Sequence, residues 1–365
     1  MNTKSLIIAL YLPQYHPFPE NDEWWGKGFT EWTNVGSAKP LFKGHYQPRV
    51  PADLGYYDLR MPVIREQQAQ MAKEAGVGGF CYWHYWFGNG KQLMAEIVDE
   101  VLTLGSPDFP FCLGWANHSW YAKNWNTNDT NGKDLLLIEQ CYPNDEDIKA
   151  HYEYVKRFFK DSRYIKIGNK PFFMIYNVKD LPENFIHLWN ELAQEDGFDG
   201  VFFAGNIAND ASIKEYIGKG FDALIRDRLK CIMKERRDNK LSFLLNKIKS
   251  HLFSIPDSKY DYKDVINRLV NPEEDSDEHV IPCMIPNFDH SPRSGRYGLI
   301  LHNSTPELFY RMCSRILDIV QKKQNKLILL RSWNEWGEGN YMEPDTRYKR
   351  QYLEALKKAI DEHED

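Results

Sequence analysis

Short apolar runs alternate with longer amphipathic segments along the chain. The runs are rich in β-branched and aromatic residues, as buried parallel strands are. Eight such runs are found, at residues 6–12, 78–86, 109–116, 171–176, 200–204, 221–225, 280–285 and 326–333. Helices are predicted between and after them at residues 59–75, 91–104, 145–159, 183–195, 212–218, 306–323 and 348–362, with Asp145 and Thr305 as N-caps.

Eight strands, each followed by a helix, are what a closed (β/α)8 barrel requires. The sequence therefore predicts an α/β protein with the TIM-barrel fold. An open, doubly wound sheet is the alternative arrangement. It is disfavoured because its G-x-G-x-x-G turn is missing after the first run, where Leu12-Pro13-Gln14 stand instead.

Two long segments interrupt this alternation inside what we expect to be one catalytic domain over residues 1–365. Residues 13–58, rich in Trp, Gly and Pro, follow the first strand, and we expect them to cover the C-terminal face of the barrel. The second insertion spans about residues 226–278. Its part 226–249 is strongly basic, which is typical of a solvated helical insertion. A lid, or a contact for an anionic ligand or membrane surface, is the functional alternative.

The chain is mildly acidic, with 46 Lys and Arg against 52 Asp and Glu, a net charge of −6 and a pI near 6.0. This balance argues against nucleic acid as a partner, because nucleic-acid binders usually present a basic face. No apolar run approaches the ~20 residues of a transmembrane helix, so none is predicted. Aromatic residues make up 14% of the chain. Their flat, amphipathic rings suit sugar binding as well as a large core.

The cysteines lack the C-x-x-C spacing of redox or metal motifs, and several lie in apolar runs. We expect reduced, buried thiols and hence a cytoplasmic protein. The run at 6–12 is too short for a signal peptide, although a periplasmic or secreted location stays open if a signal has been removed. The six cysteines are Cys81, Cys112, Cys141, Cys231, Cys283 and Cys313.

The stretch with the clearest chemistry follows the last predicted strand and reads Trp333-Asn334-Glu335-Trp336-Gly337-Glu338-Gly339. Barrel enzymes place catalytic groups at the C-terminal ends of their strands. Two carboxylates beside aromatic walls are the minimal equipment for glycoside cleavage, one protonated and the other ionised. The alternative is a polar loop whose glutamates are structural.

Aromatic, amide and imidazole groups also end other predicted strands, as a sugar site would require. A structural histidine is the simpler interpretation for each His alone. A metal site using His16, His84, His118 and His290 is disfavoured because no H-x-x-H or H-E-x-x-H spacing occurs, and we expect no metal and no other cofactor. The sugar-binding candidates, with those of the glutamate motif, are Tyr11, Tyr46, Trp83, His84, Asn117, His118, Tyr176, Trp333, Asn334 and Trp336.

Four motifs together resemble one family. They are Leu10-Tyr11-Leu12-Pro13-Gln14-Tyr15-His16-Pro17, Gly28-Phe29-Thr30-Glu31-Trp32, His45-Tyr46-Gln47-Pro48 and the closing glutamate motif. They resemble the WbsX-like proteins, which are often labelled glycosyltransferases and are related to family-99 glycoside hydrolases, the endo-α-mannosidases and endo-α-mannanases. The resemblance to the WbsX-like group extends over nearly the whole chain.

The resemblance implies a metal-independent, retaining glycosidase with a (β/α)8 barrel. It makes Glu335 the base toward the 2-hydroxyl of the sugar, which closes a 1,2-anhydro ring, and Glu338 the acid and base at the leaving oxygen and water. The substrate is then an oligosaccharide or polysaccharide with α-mannoside-like or α-rhamnoside-like sugars. Glu343 and Asp345 either bind it or brace the loop.

Two other functions stay open at this point. A glycosyltransferase for surface polysaccharide (O-antigen) synthesis fits the family label, but the D-x-D candidates Asp145-Glu146-Asp147 and Asp275-Ser276-Asp277 are poorly placed for a metal-bound nucleotide sugar. A non-catalytic glycan-binding barrel is disfavoured by the two glutamates. The sequence leaves open the sugar, the linkage, endo or exo cleavage and the oligomeric state.

Overall fold

A computed structural model describes residues 4–122, 135–208, 210–229, 232, 256 and 258–364. Eight parallel strands form one sheet in the order β7-β8-β1-β2-β3-β4-β5-β6. A parallel bridge between Leu224 and Val280 joins its two ends, so the sheet closes into a barrel. The strands are β1 (Leu6–Tyr11), β2 (Gly79–His84), β3 (Phe111–Trp115), β4 (Lys170–Ile175), β5 (Phe202–Ile207), β6 (Ala223–Arg226), β7 (Cys283–Met284) and β8 (Leu327–Leu330).

Each barrel strand is followed by a helix whose apolar side packs on the sheet, as the alternation predicts. Asp145 is the first residue of its helix rather than the predicted N-cap; Asn144 is the cap and accepts a hydrogen bond from the Asp147 amide, while Thr305 caps as predicted. The helices are α1 (Pro62–Glu74), α2 (Ala95–Leu104), α3 (Asp145–Phe159), α4 (Phe185–Glu195), α5 (Ile213–Gly218), α6 (Tyr262–Leu269), α7 (Pro306–Val320) and α8 (Gln351–Glu364). The predicted (β/α)8 barrel is confirmed.

The strands bury both faces, and side chains alternate between the barrel interior and the helices. Leu10 and Trp83 point into the barrel, whereas their neighbours Tyr11 and His84 point toward the helices. The pairing of Leu10 with Cys81 and of Trp83 with Gly114 keeps these residues in register around the barrel. Because these runs are apolar at nearly every position, the sequence does not show which side chains face the interior.

The first insertion, residues 13–58, packs on the loop that follows β8. It contains two short helices, Pro19–Trp25 and Glu31–Ser37. Trp32 lies between Tyr15 and Trp336, with ring centroids 4.4 and 5.7 Å away. The first insertion therefore contacts the loop that follows β8.

The second insertion is described only in part. The prediction for the basic stretch 226–249 falls mainly on residues 230–231 and 233–249. These residues, Cys231 among them, lie outside the described residues. The acidic residues that follow fold back on β6: Glu274 binds Arg226, and Asp275 binds Arg228.

The described residues also form shorter elements outside the barrel. They are helices Pro272–Asp275 and Ser291–Ser294, 3-10 turns Gly295–Tyr297 and Trp336–Glu338, and strands Trp120–Ala122, Leu135–Ile138, Lys166–Ile167, Ser258–Asp261, Phe288–Asp289, Leu299–His302, Asn334–Glu335 and Asn340–Tyr341.

Five of the six cysteines are described, and none of these five is in a disulfide. Four of them are buried, and Cys141 is partly exposed. Among the helices in the described ranges, none combines the length and apolar composition needed to cross a bilayer.

Candidate active site

The glutamate motif forms a tight loop at the C-terminal end of β8. Asn334 ties this loop to the end of β1, since its Oδ1 accepts from the Leu12 amide at 2.7 Å and its Nδ2 donates to the Leu12 carbonyl at 3.0 Å. Strand Asn334–Glu335 then pairs with Asn340–Tyr341 across the 3-10 turn. Glu335 ends the first of these strands and Glu338 ends the turn, so this hairpin carries both carboxyl groups at the C-terminal end of the barrel.

A buried carboxylate, that of Glu343, anchors the glutamate loop by hydrogen bonds. Glu343 accepts hydrogen bonds from Trp336 Nε1 at 2.6 Å, Gln68 Nε2 at 2.6 Å and the Tyr57 hydroxyl at 2.9 Å. Burial raises the pKa of Glu343 to about 7, although these donors act against the shift. Asp345 accepts from the Tyr341 hydroxyl at 2.7 Å and from two backbone amides. Both acids brace the loop.

One guanidinium joins the two candidate catalytic acids. Arg293, on the short helix Ser291–Ser294, donates from Nη2 to Glu335 Oε1 at 2.6 Å and from Nη1 to Glu338 Oε1 at 2.9 Å. Its Nε donates to Glu31 Oε2 at 3.1 Å, from the first insertion. Among the described residues, the Oε2 atoms of Glu335 and Glu338 make no hydrogen bond, so one oxygen of each remains for a ligand.

The two carboxyl groups differ in protonation. Burial raises the pKa of Glu335 well above its ordinary value, because the charge of Arg293 only partly offsets burial and the charges of Glu338 and Glu31 add to it. Burial also acts on Glu338, but Arg293, His290 and Arg331 outweigh it and lower the pKa of this carboxyl. Near neutral pH, Glu335 therefore holds a proton more readily, and Glu338 is ionised.

Two buried tyrosines complete the surroundings of Glu335. The Tyr15 hydroxyl accepts from the Trp336 amide at 2.9 Å, and the Tyr85 hydroxyl accepts from Gln14 Nε2 at 3.0 Å. Burial first, and then the charge of Glu335, raises the pKa of both phenols. Both therefore stay neutral beside the carboxyl.

Gly337 leaves the room that the ion pair needs. A Cβ atom at this position would lie 2.3 Å from Glu31 Oε2 and 2.9 Å from Arg293 Nε. Real Cβ contacts are never that short, so any larger residue would push the Glu31–Arg293 pair out of place. His290 Nε2 lies 3.6 Å from Glu338 Oε1 on the other side.

Three of the sugar-binding candidates lie together at the mouth of the barrel. Trp83 and Tyr176 line one cavity, with their rings 5.8 Å apart and nearly perpendicular. The ring of His118 lies 5.2 Å from that of Tyr176, and this imidazole is exposed. These aromatic side chains offer faces and edges to a sugar.

Other candidates hold the barrel together and do not face this cavity. The Tyr11 hydroxyl donates to Gln68 at 2.6 Å on the helix side of β1. His84 hydrogen-bonds His151 of α3 at 2.8 Å, and burial lowers the pKa of both, so both rings are neutral. Asn117 joins the ends of β3 and β4 through the Asn177 backbone. The structure gives these three residues bracing roles.

The remaining candidates split between the loop and a second cavity. Trp333 is fully buried, with its ring 5.4 Å from Phe80, while Asn334 and Trp336 support the loop as described above. Tyr46 lines a second cavity, where its ring contacts Arg347 and Arg49. Trp333, Asn334 and Trp336 thus lie in or under the loop, Tyr46 lies in the other cavity, and their binding of a sugar stays a prediction.

The histidines weighed for a metal site have separate surroundings. His16 is buried near Phe18, His84 binds His151, His118 lies by Tyr176 and His290 by Glu338. Within the described ranges, no three His, Cys, Asp or Glu side chains are grouped as a metal site requires. Of the D-x-D candidates, Asp147 binds Trp86 Nε1 and the Gly90 amide, and Asp275 binds Arg228.

Sequence reasoning missed the residue that organises the site. Arg293 lies 42 residues before Glu335 and outside the motifs noted above. Glu31 was noted only as part of a motif, and His290 only as a possible metal ligand. The sequence around a single arginine in a loop does not indicate which carboxylates it will contact, because only the fold brings these residues together.

Comparisons with known proteins agree with this architecture. A structure titled "Glycoside hydrolase-like protein" superposes with a TM-score of 0.61 at 15% identity, over 98% of this chain and 94% of that one. The GH99 endo-alpha-mannosidase from Bacteroides thetaiotaomicron superposes with a TM-score of 0.57 at 15% identity, over 98% and 97% of the two chains. At this level of identity, the likeness is one of fold alone, and the shared fold is the (β/α)8 barrel.

The sequence itself defines the family. The profile of the family named glycosyltransferase WbsX matches residues 7–356, and the chain belongs to this family. A curated relative, the uncharacterized protein WxcX of Xanthomonas campestris pv. campestris, is 33% identical over 363 residues, which is 98% of this chain. The chain spans about half the length of that relative.

Proposed function

We propose that this protein is a retaining glycoside hydrolase that cleaves α-linked, mannoside-like or rhamnoside-like glycans with Glu335 and Glu338. The observation that carries the proposal is the pair itself: two carboxyl groups held by one guanidinium at the C-terminal end of a barrel, with pKa values shifted in opposite directions. One protonated and one ionised carboxyl is what glycosidic bond cleavage requires. Trp83 and Tyr176 supply aromatic surfaces in the cavity that is also lined by Arg331, four residues before Glu335.

The proposed chemistry uses the sugar's own 2-hydroxyl as the nucleophile. Glu335 takes the proton of this hydroxyl, whose oxygen attacks the anomeric carbon and forms a 1,2-anhydro ring. Glu338 gives a proton to the leaving oxygen as the glycosidic bond breaks. In the second step, Glu338 takes a proton from the attacking water, and Glu335 returns its proton to O2. A tethered nucleophile of this kind benefits from high effective molarity.

The charges in the free protein run opposite to these two roles, because Glu335 is the more readily protonated acid. The roles proposed here are those implied by the motif. A set of aryl α-mannosides with different leaving groups separates the roles. A variant that lacks the general acid keeps most activity on an activated leaving group, whereas a variant that lacks the base loses activity on every member.

We expect Glu338→Gln to retain activity on 2,4-dinitrophenyl substrates and to lose ~100-fold or more on poor leaving groups. Glu335→Gln is expected to lose activity on both. The reverse result would exchange the two roles while keeping the hydrolase. Glu354→Gln, at an exposed position on α8, is the matched control and should behave as wild type. A substrate whose 2-hydroxyl is methylated should not be cleaved at all, and its cleavage would contradict the 1,2-anhydro route.

A glycosyltransferase in surface polysaccharide synthesis is the second candidate, and the family name favours it. The described part of the chain offers it little, since Asp147 and Asp275 are already engaged by Trp86 and Arg228. Calorimetric titration with a panel of nucleotide sugars tests it. Binding that supports transfer to an acceptor glycan would favour the transferase over the hydrolase.

A further inference from the structure

An open cavity at the mouth of the barrel, about 400 Å³ including its solvent-open part, has a cationic wall. Interior side chains of the strands line it, together with Trp83, Tyr176 and Asn206. Three arginines, Arg226, Arg228 and Arg331, also line it. Among the described residues that line the cavity, none is an aspartate or a glutamate.

Two of these arginines are fully occupied by the protein. Arg228 makes a two-pronged contact with Asp275, at 2.8 and 2.6 Å, and also binds Glu274 at 2.9 Å. Arg226 binds Glu274 and the carbonyls of Ala208 and Ala211. Only 7% of each of these side chains is exposed. Both guanidinium groups therefore act as fixed structural cations.

Arg331 is different. Its one ion-pair contact within the described ranges is a single bond from Nη1 to Asp227 Oδ1 at 3.5 Å, and 22% of its side chain is exposed. A guanidinium has five N–H donors in a planar fork that matches the two oxygens of a carboxylate or a phosphate. Most of the donors of Arg331 are thus open to a ligand in the cavity.

The position of Arg331 couples this cavity to the glutamate pair. It directly follows β8, four residues before Glu335 on the same chain segment. Its charge is one of those that lower the pKa of Glu338. A sugar that rests against Trp83 and Tyr176 would therefore present a substituent to Arg331, whose charge also acts on Glu338.

We propose that the cavity binds an acidic sugar, whose oxyanion, a uronate carboxylate or a phosphate ester, is held by Arg331. The inference rests on the proposed function, because it names the substrate class of the same site: an acidic glycan. Charge-assisted, bidentate contacts of this kind are stronger than neutral hydrogen bonds and select by geometry. A neutral glycan would leave the Arg331 guanidinium with its 3.5 Å contact to Asp227 alone among the ion pairs of the described residues.

Isothermal titration calorimetry with methyl α-D-mannoside, the matching methyl mannuronoside and the matching 6-phosphate tests this directly. We expect at least one acidic glycoside to bind tenfold or more tightly than the neutral one, and the tighter of the two identifies the oxyanion. Inorganic phosphate alone should bind more weakly than the sugar phosphate. Equal affinity for all three glycosides, or binding of phosphate as tight as that of the sugar phosphate, would overturn the proposal.

Variants locate the effect on Arg331. Arg331→Gln should abolish the preference for the acidic glycoside, and Arg331→Lys should restore part of it. Asp227→Asn removes the carboxylate bonded to Arg331, so affinity for the acidic glycoside should rise severalfold, a gain that misfolding cannot imitate. Arg311→Gln, an exposed arginine on α7, is the charge-matched control and should bind as wild type. A preference that survives in Arg331→Gln would refute the assignment.

The outcome is separable from that of the proposed hydrolase. Cleavage of neutral glycans without any acidic preference would keep the hydrolase and reject the acidic substrate. Tight, Arg331-dependent binding of an acidic glycoside without cleavage of any acidic glycan would keep the binding site and reject the hydrolase.

Discussion

Arg293 sets the charge of the candidate site. It contacts Glu31, Glu335 and Glu338 with three different nitrogens, so one side chain holds three acids in a buried space. Without it, like charges at this distance would raise the pKa of every member of the cluster. With it, Glu338 stays ionised and Glu335 remains the site of protonation.

This difference predicts the pH dependence of kcat/KM, which reports ionisation in the free enzyme. The pair carries one proton between the lowered pKa of Glu338 and the raised pKa of Glu335. On the acid side, kcat/KM should fall only below pH 4.5, the ordinary pKa of a glutamate, because the pKa of Glu338 is lowered. On the alkaline side, it should fall only well above that pH, because the pKa of Glu335 is raised. A rate profile measured from pH 3 to pH 10 checks this. A narrow optimum centred on pH 4.5 would contradict the assigned charges.

Glu343 makes a separate prediction, about stability. Its pKa in the folded protein is about 7, above the ordinary value, so its stabilising contribution is complete at acid pH and is lost as pH rises through 7. Between pH 5 and pH 8, the wild type should lose ~2–3 kcal/mol relative to Glu343→Gln, at ~1.4 kcal/mol per pKa unit. Denaturant unfolding of both proteins at the two pH values measures this. A difference that does not change with pH would refute the assignment.

At the level of elements, the site depends on the contact between the first insertion and the loop after β8. The strands and seven of the eight barrel helices were predictable to within a few residues, as the interval 145–159 and α3 illustrate, because apolar periodicity reports burial. Helix α6 lies inside the second insertion and was not predicted. The direction of side chains was not predictable. Trp83 and His84 are adjacent in a run that is buried on both faces, and only the register of β2 decides which one faces the interior.

Gly337 tests the contact between these elements. Gly337→Ala should displace Arg293 from Glu31 and lower kcat/KM ~10-fold to 100-fold, with a loss of ~1–3 kcal/mol in the free energy of unfolding, as overpacking typically costs. Gly36→Ala is the matched control, since a Cβ atom there meets nothing within 4 Å and lies in helix Glu31–Ser37. It should leave activity unchanged and increase stability slightly. Full activity in Gly337→Ala would show that the Arg293–Glu31 contact is dispensable.

At the level of the whole molecule, the barrel and the place of the glutamates were predictable, because eight buried runs and a carboxylate motif at a strand end are local features. The cluster around Arg293 was not. It joins residues from the first insertion, the segment after β7 and the loop after β8, which only the closed barrel brings together. The pairing of Arg226 and Arg228 with acidic residues was unpredictable for the same reason, because their partners lie 46–48 positions away in the sequence.

The central claim is that Glu335 and Glu338 cleave a glycan. Mass-spectrometric product analysis tests it most directly, with purified protein, no nucleotide sugar, and a panel of α-mannans, rhamnose-containing polysaccharides, O-antigen glycans and uronate-containing glycans. We predict released oligosaccharides from at least one glycan with wild type and Glu354→Gln, and none with Glu335→Gln or Glu338→Gln. Release that persists in both glutamate variants would contradict the claim.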